Sequence, residues 1–184
     1  MALAWQCHSF EALLRLVQRA EALGFAAAYV DGDGSQLGGD APRRALDGWT
    51  VTMALLARTS RIQIGSIRLV HHWNAARLAQ AAATAAHLFP GRFRFLISIG
   101  GHPVDRAFGF AYPEVRERVR WLDETLSAVR ALWQGDRVTA HGRFVHLDGA
   151  CVRPIPLPGC LPVAVAARAP SLLALVAAHA DLWD

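Results

Sequence analysis

Two stretches of the chain carry apolar residues without a helical period. From Arg61 to Val70 the sequence is rich in Ile and Val, and from Arg92 to Ile99 it is again apolar, which predicts two strands. Ala75 to Phe89, between them, is almost pure helix former, and Pro90-Gly91 stops it. Strand, helix and strand in this order predict a βαβ unit with parallel strands and a right-handed crossover.

The pattern repeats on both sides. Leu3 to Gln6 predicts a very short first strand. Phe10, Leu13, Leu14, Val17, Ala20 and Leu23 recur at helical spacing behind Ser9 as N-cap, with Glu11 in the first turn and Gly24 at the C-terminal cap. Phe25 to Val30 predicts the next strand, and DGDGSQLGGDAP a long polar loop, where functional residues often lie. Ala45 to Ala57 reads as a helix opened by Asp47 and closed at Arg58. His102 to Pro113 is a second loop.

Glu114 to Trp133 is the clearest amphipathic helix, with Val115, Val119, Leu122, Leu126, Val129 and Trp133 on one stripe and Gly135-Asp136 at its end. Val138 to Ala140 and Phe144 to Leu147 flank His141-Gly142-Arg143 as a hairpin. Pro154 to Pro162 must be extended or turn. Val163 to Ala167 predicts a strand, Pro170 to Ala180 a helix, and Leu182-Trp183 the start of a further strand.

Alternation of this kind means a parallel sheet with helices outside. The fold class it predicts is α/β: an incomplete (β/α)8 barrel of the TIM type, with about six to seven parallel strands, outer helices and a small hairpin insertion, forming one domain over residues 1–184. A complete barrel takes about 250 residues, so roughly two βα units are missing. The barrel is open, another chain completes it, or the sequence is a fragment.

Composition narrows the partners. A hydrophobic content of 53% with 18% charged residues suits a buried core and argues against disorder. The formal charge of +4 comes from arginine alone, since the chain has no lysine, and the arginines are scattered. No nucleic-acid footprint is expected from that distribution. No apolar run is long enough for a membrane span, and the N-terminus lacks a basic signal region. Cys7, Cys151 and Cys160 are widely spaced without a CxxC, which points to reduced thiols in the cytoplasm rather than a disulfide frame or a zinc site. Nucleophile-elbow, HExxH and phosphate-loop motifs are absent.

The segments ALGFAAAYV, LDGWTVTMALLARTSRIQIGSI, AQAAATAAHLFPGRFRF, RAFGFAYPEVRERVRWLDETLSAVRALWQGDRVTAHGRFVHLDGA and PVAVAARAPSLLALVAAHADLWD resemble the luciferase-like monooxygenase superfamily. The match covers that family's first two-thirds. It implies a barrel with FMN or the deazaflavin coenzyme held at the C-terminal strand ends, acting on a small organic substrate. It also implies a homodimer through the helices at 45–57 and 75–89, or a partner chain completing the barrel. A plain alternative for the alanine-rich helix is packing on its own sheet.

The resemblance also places candidate site residues. Asp31 and Asp33 follow the second strand, as an acid–base pair or as Asp-Gly turn chemistry. A non-prolyl cis bond is expected near Arg68 to Val70, next to Leu69, with His71 and His72 following. Neighbours on a strand face opposite ways, so the two histidines make no metal pair, but His72 is a candidate for the pocket or a solvated loop histidine. Ser98, Gly100 and Gly101 would let a flat ring lie against backbone. Leu96 and Ile99 are bulky where the family is small, and since half of the side chains on a strand point inward, such residues could fill the space that a ring needs. In the loop Ala166 to Pro170 alanines stand where the family has glycines, so a strained or rebuilt loop is expected. Arg168 and Ser171 remain candidates for a phosphate, with a merely solvated Arg168 as the alternative. The altered motifs leave open a cofactor-free descendant that serves as a partner subunit or small-molecule binder.

Overall fold

The computed structural model describes residues 2–3, 9–30, 46–101 and 109–183. In chain order the elements are β1 (Ala2–Leu3), α1 (Phe10–Ala22), β2 (Ala27–Val30), α2 (Gly48–Ala57), β3 (Gln63–Leu69), a 3-10 turn (Val70–His72), α3 (Ala75–Leu88), β4 (Phe93–Ser98), α4 (Val115–Leu132), β5 (Val138–His141), β6 (His146–Ala150), β7 (Val163–Val165), α5 (Pro170–His179) and β8 (Leu182–Trp183). Six strands form one sheet in the order β1-β2-β3-β4-β7-β8, and every neighbouring pair is parallel. Strands β5 and β6 pair only with each other, as the antiparallel hairpin.

The two faces of the sheet differ. Ile64, Phe93, Phe95, Ile97, Val163 and Val165 join the main core with the helices. The alternate positions Ile67, Leu69, Leu96, Ser98 and Ala164 face the opposite way, toward the barrel interior. Ile99 belongs to the helix-side core, so of the two bulky residues Leu96 is the one that faces the interior.

Side-chain caps fix where the helices start. Ser9 Oγ accepts the Ala12 N–H at 3.2 Å, and Asp47 Oδ1 accepts the Thr50 N–H at 2.7 Å. Asn74 Oδ1 accepts from Ala76 at 3.0 Å and Arg77 at 3.1 Å, and so starts α3 directly after the 3-10 turn. Asn74→Ala is expected to cost about 1 kcal/mol. In a chain of this size that lowers the thermal midpoint by about 2–4 °C, read by circular dichroism.

Alanine lets α3 sit close to its neighbours. Ala79, Ala82, Ala83, Ala85 and Ala86 are all buried, and Trp133 Nε1, from the end of α4, donates to the Ala79 carbonyl at 3.0 Å. These alanines are therefore spent on the chain's own core. Arg77, Thr84 and Leu88 form the exposed side of α3.

Helix α4 departs from its predicted stripe at the first turn. Val115 is exposed, whereas Arg118, Leu122, Thr125, Leu126 and Val129 are buried. Entry into β3 is fixed by Glu21, whose Oε1 accepts the N–H groups of Ser60, Arg61 and Ile62 at 2.6–3.0 Å. At the other edge Asp181 Oδ2 accepts the Val163 N–H at 2.8 Å while its own N–H donates to Val163 O at 2.8 Å, which seats β8 on β7. No helix among the described residues is long and apolar enough to cross a membrane.

Candidate functional site

Because the sheet is parallel, β2, β3, β4 and β7 all end on one rim. Leu69 and Ser98 are register partners at the ends of β3 and β4. Leu69 keeps an extended backbone, with φ −90° and ψ 124°, and hands the chain to the 3-10 turn. The expected cis bond near Arg68 to Val70 is not there: among the described residues the cis peptide is Arg153–Pro154. An extended residue running directly into a turn needs no such bond.

Past Ser98 the chain reaches Gly100, whose φ is +72°. A Cβ at this position would lie 3.1 Å from His71 Cε1 and 3.6 Å from the Leu69 methyls. Glycine thus supplies a backbone shape that side chains disfavour and lets the ends of β3 and β4 meet. Gly101 is different, since a Cβ there would meet nothing within 4 Å among the described residues.

Behind this turn lies Arg118, 5% exposed. Its Nη1 donates to Ile99 O at 3.1 Å and Gly100 O at 2.9 Å, and its guanidinium sits 3.9 Å over the Tyr112 ring. His71 packs edge-on against Tyr112 at 5.4 Å and Trp121 at 6.5 Å. Trp121 stacks on Phe144 of the hairpin at 4.9 Å and 8°, and His72 stacks on Phe110 at 4.1 Å and 25°. A cleft of about 300 Å³ runs between the 3-10 turn, α4 and the hairpin, lined by His71, His72, Trp73, Asn74, Trp121 and Phe144.

Two carboxylates of α4 hold the hairpin tip: Glu117 pairs with the Arg143 guanidinium, and Glu124 gathers the backbone. Glu124 accepts from the N–H groups of Arg143, Phe144 and Val145 at 3.1, 2.8 and 3.1 Å, and from Arg120 Nε at 3.0 Å. Burial alone would push this carboxyl up, but the four hydrogen bonds outweigh it and hold the group below its ordinary value. Gly142 makes the approach possible, because a Cβ there would run into the Glu124 carboxylate.

The structure brings Leu69, Ser98 and Gly100 together at the rim, with Gly101 next in the chain, whereas His72 lines the separate cleft that none of these four lines. Arg168 and Ser171 lie exposed at the first turn of α5, which follows β7 and has no side-chain cap. The loop before it is rebuilt without strain: Ala169 has φ −83°, and no non-glycine residue among those described has positive φ. Asp31 and Asp33 lie outside the described residues. Among the described residues no cluster of three or more His, Cys, Asp or Glu side chains is placed to hold a metal.

Sequence reasoning missed Arg118, Tyr112 and the Trp121–Phe144 wall. A signal for the first existed: Arg118 stands at helical spacing from Leu122, Leu126 and Val129, a charged residue on an apolar stripe.

Bare backbone at Gly101, small residues at the ends of β4 and β7, and a helix start without a side-chain cap fit a flat ring that carries an anionic tail. Leu96, 1% exposed, fills the interior one layer below Ser98 and bounds how deep such a ring can lie.

Comparison with known proteins gives three findings. A family model described as luciferase-like monooxygenase matches residues 3–183. The F420-dependent glucose-6-phosphate dehydrogenase 1 of Rhodococcus jostii is 38% identical over 117 residues, 61% of this chain and 35% of that protein. The corresponding dehydrogenase of Mycobacterium avium is 37% identical over 119 residues, 62% of this chain and 35% of that protein. Among solved structures, an F420-dependent secondary alcohol dehydrogenase in complex with an F420-acetone adduct aligns over 99% of this chain and 55% of its own, with a TM-score of 0.84 at 24% identity. The monooxygenase RslO1 from Streptomyces bottropensis aligns over 91% of this chain and 50% of its own, with a TM-score of 0.75 at 27% identity. The match thus spans about a third of these curated relatives' length and about half of the solved chains.

Proposed function

We propose, from the premise that the chain belongs to the luciferase-like monooxygenase family, that it is a flavin- or deazaflavin-dependent oxidoreductase. The observation that carries this reading is the rim itself: the ends of β3 and β4 close on each other at Gly100, and beyond them Gly101 presents bare backbone that no described residue covers. F420-dependent dehydrogenases among the relatives favour the deazaflavin, and a riboflavin lyase solved with modified FMN on the same fold keeps FMN in play. When bound, the cofactor supplies the hydride or oxygen chemistry. The chain's own residues bind and orient it. Leu69, Ser98, Gly100 and Gly101 receive the ring, and Arg168 with Ser171 at the start of α5 receives the anionic tail. His72, in the adjoining cleft, is the proposed catalytic residue facing a small organic substrate. Asp31 and Asp33 remain the proposed acid–base pair.

The reading carries further expectations: one domain over residues 1–184, a cytoplasmic location, and a homodimer through 45–57 and 75–89 or a partner chain that completes the barrel. The exposed side of α3 at Arg77, Thr84 and Leu88 is the surface available for the first. The open edge at β8, where Trp183 is 64% exposed, is the surface available for the second.

Titration of the purified protein with FMN and with a deazaflavin, followed by visible absorbance, tests the reading. Saturable binding of one of them with a changed spectrum is the expected result. A colourless protein that ignores both overturns it and favours the second reading, a cofactor-free small-molecule binder, which Leu96 in the barrel interior supports.

A further inference from the structure

We propose that Arg118 is a positioning residue that aims two consecutive backbone N–H groups, those of Gly100 and Gly101, into the barrel mouth as a site for the electron-rich edge of the bound cofactor ring. This inference rests on the oxidoreductase reading and deepens it.

Geometry fixes the direction of the two donors. The carbonyls of Ile99 and Gly100 both point at Arg118 Nη1, at 3.1 and 2.9 Å. In a planar trans peptide the N–H points opposite to the C=O. The N–H of Gly100 shares a peptide with the Ile99 carbonyl, and the N–H of Gly101 shares one with the Gly100 carbonyl. Both N–H groups therefore point away from α4, toward the barrel side. Successive N–H groups turned the same way around a residue of positive φ form a concave nest that attracts negative charge.

The donors are available. Gly100 N–H makes only a 3.4 Å contact with Ser98 Oγ, at the long limit for such a bond. Gly101 N–H has no hydrogen-bond partner among the described residues.

The guanidinium behind them is itself unusual. It is 5% exposed and has no carboxylate partner among the described residues, and its Nε makes no hydrogen bond. Two carbonyls and the Tyr112 face are what offset its charge. A buried cation without an anion leaves net positive potential, and it polarises the two peptides that separate it from the mouth. A ring that gains negative charge on reduction is favoured by that potential. The nest thus binds the reduced cofactor more tightly than the oxidised one.

The test uses the full chain with Arg118→Met and Arg118→Lys, FMN and a deazaflavin as probes, affinities from fluorescence titration, and the midpoint potential of the bound cofactor. Arg118→Met is expected to weaken binding of the oxidised cofactor about tenfold. Its midpoint is expected to fall by about 30 mV, equivalent to a further tenfold loss for the reduced form of a two-electron couple. Arg118→Lys is expected to lie between, because an ammonium is a point charge without the planar fork.

If Arg118→Met does not fold, Arg118→Lys and Gly101→Ala carry the test. Gly101→Ala meets no described residue at its Cβ and puts a methyl group on the residue that supplies one of the two donors. A wild-type protein that binds cofactor, with variants that match it in affinity and potential, overturns the role of Arg118 and leaves the oxidoreductase reading standing. A wild-type protein that binds neither probe overturns both.

Discussion

Exchanging Gly100 for valine is expected to abolish cofactor binding, by about a hundredfold or more in affinity, and to destabilise the fold by about 2–3 kcal/mol. Its φ of +72° disfavours any side chain, and a branched one most. The new Cβ would sit 3.1 Å from His71 Cε1, and His71 has little room to retreat because Tyr112 and Trp121 pack edge-on against it. Relief must then come from the backbone, which pulls the Ile99 and Gly100 carbonyls off Arg118. Titration with the cofactor that the wild type binds, alongside a thermal melt, reads both effects. Wild-type affinity in Gly100→Val would place the binding site away from the junction of β3 and β4.

Glu124→Ala is expected to lower stability by about 2–4 kcal/mol at neutral pH, since it strips three backbone N–H groups and one guanidinium of their shared acceptor. Phe144 loses its anchor, so the change also shows in the near-ultraviolet dichroism of the Trp121–Phe144 stack. The sign of the pH dependence follows from the lowered carboxyl pKa. The Glu124 contribution is fully present above the ordinary value of 4.5 and is lost as pH falls through the lower value of the folded state. Glu124→Gln does not titrate. Urea unfolding of wild type and Glu124→Gln should therefore differ most at neutral pH and converge in acid. A gap that widens on acidification would contradict this account of the hairpin tip.

The architecture was largely legible because its signals are local. Arg61 to Ile99 carries strand, helix and strand in apolar spacing, and the pairing of Ile64 with Phe93 is parallel as expected. The hairpin and the late Leu182-Trp183 strand were equally readable. The rim was less so, because it depends on which face a residue occupies and on what lies beneath it. Alternation says that half of the bulky side chains near the end of β4 turn inward without saying which, and the structure turns Leu96 inward and Ile99 toward the helices. Leu69 pairs with Ser98 and lies close to Gly100 at the ends of β3 and β4. Arg118 does not announce itself through spacing to glycines eighteen residues earlier in the chain. Its burial comes from long-range packing of α4 against the end of β4, which one-dimensional patterning does not encode.

The hairpin has an evolutionary consequence. Among the described residues its strands pair only with each other, and its tip is tied to α4 by Glu124 and by the Arg143–Glu117 ion pair, yet Phe144 forms one wall of the cleft. A segment attached in that way is a cassette. Its tip can be swapped or lengthened between descendants to change which molecules are admitted, while the strands that carry the cofactor rim inherit no strain from the exchange.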